Sequence, residues 1–115
     1  MDAKPRKIIF YKSPSGRVPF MEWFDSFKDT SVERAIRKRL ERLAQGNLGE
    51  YKSLGMGVSE LKLSGLGLRI YFSEIGNVIV IILCGGDKNT KKEQSRDIQR
   101  AREYLEDFEK RGGAK

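Results

Sequence analysis

The sequence predicts an α+β domain: a small, mostly antiparallel sheet with an N-terminal helix pair packed on it and a C-terminal helix. Three observations carry this. Apolar residues recur at helical spacing from Phe20 to Leu43, alternate with polar ones from Val58 to Ser73, and return to helical spacing from Ile98 to Phe108. A length of 115 residues fits one domain over 1–115, and 38% apolar residues are enough for an ordinary core.

Lys7-Ile8-Ile9-Phe10-Tyr11-Lys12 is rich in branched and aromatic residues and reads as a first strand, closed by the turn signal Ser13-Pro14-Ser15-Gly16. Pro19 suits a first helical turn, and Phe20, Trp23, Phe24 and Phe27 share one face of a short core helix. Thr30 with Glu33 forms a capping box for a second helix, whose stripe is Val32, Ile36, Leu40 and Leu43 and which Gly46 and Gly49 end. Two strands follow, Val58–Ser64 and Leu68–Ser73, joined by Ser64-Gly65-Leu66-Gly67. Register places Glu60, Lys62, Arg69 and Tyr71 together on a polar face, which stays partly wet if the helices cover only the other face. The unbroken apolar run Val78–Cys84 suits a central strand, which Gly85-Gly86 is expected to break. Thr90 and Glu93 offer a capping box for the last helix, with Ile98, Ala101, Leu105 and Phe108 buried, Tyr104 at the border and Gly112-Gly113 as the stop.

Composition narrows the chemistry. Lys and Arg number 23 against 16 Asp and Glu, a net charge of +7, which points to a polyanionic partner. The excess divides as +3 over residues 1–28, +2 over 29–46, zero over 47–90 and +2 over 91–115, so it is spread rather than massed. There is no histidine, which excludes a Ser-His-Asp triad, a histidine acid–base pair and most zinc sites. The single Cys84 cannot form an internal disulfide, and the charged N-terminus reads as no signal peptide, so a cytoplasmic address is expected. No apolar run approaches the roughly 20 residues of a membrane helix, and no membrane partner is expected.

Within the neutral middle, Arg69 is the first functional candidate, because an arginine in an amphipathic strand can grip phosphate at two points. Gly85 to Thr90 lacks P-loop spacing, yet a strand end and helix N-terminus beside Lys88 can hold a phosphate, or form a plain turn. The acids near the polar face, Glu50, Glu60 and Asp87, are too few and too close to lysines for a magnesium site, so neither metal nor cofactor is expected. Cleavage of RNA by its own 2′-hydroxyl needs neither. It needs a base, charge stabilisation at the phosphorane and an acid. Glu60, or a Lys62 whose pKa is lowered by nearby Arg69, is the candidate base; Arg69 and Lys62 are phosphate clamps, and Lys88 or a tyrosine is the acid or a stacking platform. Lys52, Arg37 and Lys38 are candidate RNA contacts, although cations on a helix such as Arg34, Arg37, Lys38 and Arg42 ordinarily form a solvated face. Tyr71 and Tyr104 are candidate stacking platforms or half-buried core aromatics.

Phe20, Trp23, Arg39-Leu40 with Arg42-Leu43, Gly46-Asn47 with Gly49, Lys52, Gly55 to Lys62, Arg69-Ile70-Tyr71-Phe72, Leu83 to Lys88, and Asp97-Ile98 with Ala101 form one ordered set of motifs. With the order strand, two helices, three strands, helix, this set resembles the RelE/ParE superfamily of type II toxin–antitoxin toxins, most closely its HigB-like "addiction module killer protein" branch. The resemblance covers residues 20–104. It implies a RelE-like α+β toxin that enters the ribosomal A site and cleaves translated mRNA. It also implies a cognate antitoxin, usually a helix-turn-helix protein, with operator DNA reached only through the toxin–antitoxin complex. Family members share the strand arginine that Arg69 matches and basic residues near Lys62 and Lys88. The chain departs from the family at Gly65-Leu66-Gly67-Leu68, where Gly-Pro-Gly-Tyr is usual. Gyrase poisoning is the superfamily's other activity, and a bare nucleic-acid-binding module is a third possibility that the charge alone would satisfy.

Overall fold

A computed structural model describes residues 4–63, 65–87 and 90–113. The elements run β1 (Lys7–Phe10), α1 (Pro19–Asp25), α2 (Thr30–Ala44), β2 (Tyr51–Gly55), β3 (Val58–Leu63), β4 (Leu68–Ile75), β5 (Ile79–Asp87) and α3 (Lys91–Lys110). They build a five-stranded sheet in the order β1-β5-β4-β3-β2. All neighbours are antiparallel except β1, which lies parallel to β5 with Lys7 opposite Ile79. The α+β architecture with a mostly antiparallel sheet is the one the periodicities predict.

Four details differ from the sequence-based expectation. First, β2 is an additional strand between the second helix and Val58. Its residues Tyr51, Lys52 and Ser53 are exposed at the sheet edge, so no apolar alternation marks it. Second, α2 is capped one residue earlier than expected: Asp29 accepts from the Ser31 amide at 2.8 Å, and Thr30 is already helical. At α3 the expected cap is present, with Thr90 Oγ1 accepting from the Glu93 amide at 3.0 Å. Third, Gly85-Gly86 does not break β5, which continues to Asp87. These glycines admit neighbours instead: a Cβ on Gly85 would lie 2.2 Å from the Trp23 ring, and one on Gly86 would lie 2.3 Å from Asp97 Oδ2.

The fourth difference matters most for function. α1 and α2 cover one face of the sheet, packing Phe20, Phe24, Ile36 and Leu43 against Leu61, Leu63, Leu68, Ile70, Phe72, Val80 and Ile82. The other face is not wet. α3 lies over it, with Ala101 and Leu105 buried against Tyr11, Val58, Tyr71, Ile81, Leu83 and Cys84. A register shift supports this second core. Tyr71 pairs with Cys84 but Phe72 pairs with Ile82, so Leu83 is an extra residue and both Leu83 and Cys84 join the α3 side. The Arg102 guanidinium donates to the Leu54 carbonyl at 2.7 Å and ties α3 to β2.

Candidate functional site

The β3–β4 ladder sets Glu60 opposite Tyr71 and Lys62 opposite Arg69. Opposite residues share a face, and the diagonal neighbours Glu60 and Arg69 reach each other. Arg69 Nη1 donates to Glu60 Oε2 at 2.6 Å. The expected juxtaposition is therefore present, but its surroundings are not those expected. Glu60 is fully buried and Arg69 is 6% exposed. Glu60 Oε1 has no hydrogen-bond partner among the described residues. A close, charge-assisted pair in a dry setting is strong locally, yet each charge carries a desolvation cost that the other only offsets.

Tyr71 is 1% exposed, which corrects its assignment as a stacking platform: in this arrangement no nucleobase reaches the ring. Burial, then the Asp97 and Glu60 charges, push its phenol well above the ordinary range. Burial likewise pushes the Cys84 thiol up to about 12, so Cys84 is a packed residue rather than a nucleophile. Tyr104 is half-buried and stacks on Tyr11, with centroids 4.8 Å apart. Lys62 is partly buried, and Lys52 is exposed on β2 opposite Glu60. Arg37 and Lys38 lie on the exposed side of α2, in the helical layer across the sheet, and do not converge with Arg69; the Arg37 guanidinium sits 5.0 Å from the Phe24 ring centroid. Lys88 lies outside the described residues.

Sequence reasoning offered the segment Gly85 to Thr90 as a phosphate-holding turn but gave no site role to Trp23, Arg96, Asp97 or Arg100, which line a cleft beside it. Gly86, the β-register partner of Arg69, opens onto a cleft of ≈ 310 Å³ lined also by Trp23, Asp87, Arg96, Asp97 and Arg100. Trp23 Nε1 donates to Asp87 Oδ1 at 3.3 Å. Burial raises the Asp97 carboxyl above its ordinary pKa, opposed by Arg100 at 3.8 Å and reinforced by Asp87 and Glu93. A carboxyl that holds its proton longer beside guanidinium groups can exchange protons with an anionic ligand. The signal that could have found it is the Gly85-Gly86 pair, whose missing Cβ atoms make room for Trp23 and Asp97. Among the described residues no group of three or more metal-ligating side chains is placed to hold a metal ion, and no helix is long and apolar enough to cross a membrane.

This architecture, a sheet with two helices on one face and a third on the other, has a counterpart among solved structures. The isolated E. coli RelE toxin superposes with a TM-score of 0.50 at 19% identity, over 85% of this chain and 98% of that one. Sequence places the chain more narrowly: residues 22–106 match the family "Phage derived protein Gp49-like (DUF891)", and the chain belongs to that family. An uncharacterized protein of Haemophilus influenzae is 39% identical over 84 residues, which is 72% of this chain and 82% of that protein.

Proposed function

We propose that this protein is the toxin of a type II toxin–antitoxin module, of the HigB-like branch, acting in the cytoplasm as a ribosome-dependent mRNA endoribonuclease. The observation that carries the reading is the buried Arg69–Glu60 pair at 2.6 Å, held by strand register in a RelE-like fold. In this reading Arg69 grips the scissile phosphate and stabilises the phosphorane. Glu60, released from the guanidinium, accepts the 2′-hydroxyl proton, and Lys62 adds positive charge beside it. Lys88 protonates the leaving oxygen, while Lys52 and Tyr104 contact the RNA. No metal takes part. Because Arg69 and Glu60 are buried in the structure, the reaction requires this face of the sheet to open when RNA binds. The cognate antitoxin, a helix-turn-helix protein, neutralises the toxin and carries it to operator DNA.

The test is inducible expression, with 5′-end mapping of mRNA in a translation extract. Cleavage within translated codons is expected for the wild type and is expected to be lost in Arg69→Lys, which keeps the charge but not the two-pronged grip. Growth arrest with intact mRNA would overturn the nuclease reading in favour of a protein target such as gyrase.

A further inference from the structure

Arg39 is the other buried cation among the described residues outside the Arg69 pair, at 8% exposure, and the function proposed above does not use it. It projects from α2 to the loop leading into β2, where its Nη2 donates to the Leu48 carbonyl and, at 3.3 Å, to the Glu50 carbonyl. Its Nη1 is buried with no hydrogen-bond partner among the described residues. An unpartnered guanidinium nitrogen in a dry setting carries a desolvation cost that no hydrogen bond offsets. The loop is shaped around it: Gly49 has a left-handed φ of +58°, and a Cβ there would fall 2.6 Å from Arg39 Nη2.

The guanidinium lines a pocket of ≈ 350 Å³ shared with Arg42, Lys62, Gly49 and Glu50. Three cations and one carboxylate line it, and burial followed by the Arg42 charge depresses the Arg39 pKa, with the Glu50 charge opposing the shift. The position is informative too. β2 begins at Tyr51, opposite Leu61, and the Lys62 amide donates to the Glu50 carbonyl at 3.3 Å, so the pairing ends one residue past the strand and Lys62 lies at that junction. Lys62 lines this pocket and is also the register partner of Arg69.

We infer that the pocket between α2 and the β2–β3 edge is a phosphodiester-binding site in which Arg39, Arg42 and Lys62 hold one backbone phosphate of an RNA strand. The inference deepens the nuclease reading: it adds a second grip on the same polyanion, away from the reacting bond and joined to it through Lys62. An extended strand bound at two points is positioned along its length, which is what cleavage at one chosen bond needs.

The test uses the full chain and a 2′-O-methyl RNA oligonucleotide, which binds but cannot be cleaved, so it does not depend on catalysis. Side-chain Nε–Hε resonances of the arginines and fluorescence anisotropy are the readouts. The oligonucleotide is expected to shift the Arg39 resonance. Arg42→Ala and Lys62→Ala are each expected to weaken binding about tenfold and to lower the salt slope by about one. Lys110→Ala, on the far end of α3, should stay within about twofold. Arg39 is observed through its resonance, because its removal would also free the Leu48 and Glu50 carbonyls. An unmoved Arg39 resonance, or wild-type affinity in Arg42→Ala, would overturn the inference. So would a response to inorganic phosphate or to polyglutamate without a response to RNA, assigning the pocket to free phosphate or to an acidic protein segment. A wild type that binds as expected yet cleaves nothing in the translation extract would sink the nuclease reading and leave the pocket standing.

Discussion

The two faces of the sheet are packed in opposite styles. Beneath α1 and α2 the strands present Leu61, Leu63, Leu68, Ile70, Phe72, Val80 and Ile82, an unbroken hydrocarbon layer. Beneath α3, Val58, Ile81 and Leu83 share their space with Glu60, Arg69, Tyr71, Ser73 and Cys84. Apolar burial stabilises in proportion to area, about 25 cal/mol per Å², whereas a buried ion pair adds little net stability over well-packed apolar side chains. One face therefore accounts for stability, and the other carries groups that folding alone does not require.

The strongest way to break this comparison is at the ion pair. Arg69→Ala leaves the Glu60 carboxylate buried and unpaired, and should cost about 3–5 kcal/mol in urea unfolding at pH 7. Phe20→Ala on the opposite face should cost a similar 3–5 kcal/mol. The two differ in rescue: Glu60→Leu added to Arg69→Met should restore most of the stability but none of the cleavage, while nothing polar can be removed to rescue Phe20→Ala. Equal, unrescued losses would erase the distinction between the faces.

A second comparison sharpens it at the end of β5, where adjacent glycines face opposite layers. Gly85→Ala drives a methyl into the Trp23 ring and should cost about 1–3 kcal/mol, with a shift in tryptophan fluorescence. Gly86→Ala meets the Asp97 carboxylate, the end of a side chain that can swing aside, so its cost should be the smaller. Greater destabilisation by Gly86→Ala would mean that Asp97 is fixed in place.

The smallest effect is expected at Asp97 itself. Its raised pKa means that the folded state binds the proton more tightly than the unfolded chain, so its contribution to stability falls as pH rises from the unfolded value through the folded one. Asp97→Asn should thus raise Tm slightly at pH 7 and leave it unchanged near pH 3, where the carboxyl is protonated in both states. Scanning calorimetry at the two pH values separates this from a loss of the Arg100 contact, which would lower Tm at pH 7.

Much of this arrangement was legible before any coordinates. Alternation of Leu61, Leu63, Leu68, Ile70 and Phe72 against their neighbours specifies which way each strand faces, and that alone brings Glu60, Lys62, Arg69 and Tyr71 together. The stripe on α3 was equally plain, but an amphipathic pattern says that a helix is buried on one side, not which surface it is buried against. Hence the polar face was expected wet and was found roofed, and Tyr71 changed from a platform to a core residue. β2 stayed invisible because an exposed edge strand has no apolar face to reveal it. Gly85-Gly86 misled because glycine at a strand end signals a break and a close approach alike. Arg39 sits among the exposed arginines of α2, and only the fold of the Gly49 loop around it sets it apart.

The pairing of β1 with β5 also governs when the molecule can exist. Lys7 waits for Ile79, and Phe10 for Ile82. A strand near the beginning of the chain is completed by one near its end, a connection of high contact order that closes late. A nascent chain halted before β5 lacks the strand that joins β1 to β4, and the second core closes only after α3 has been made. For a protein proposed to attack the machinery that makes it, topology itself holds the weapon unfinished until β5 and α3 have left that machinery.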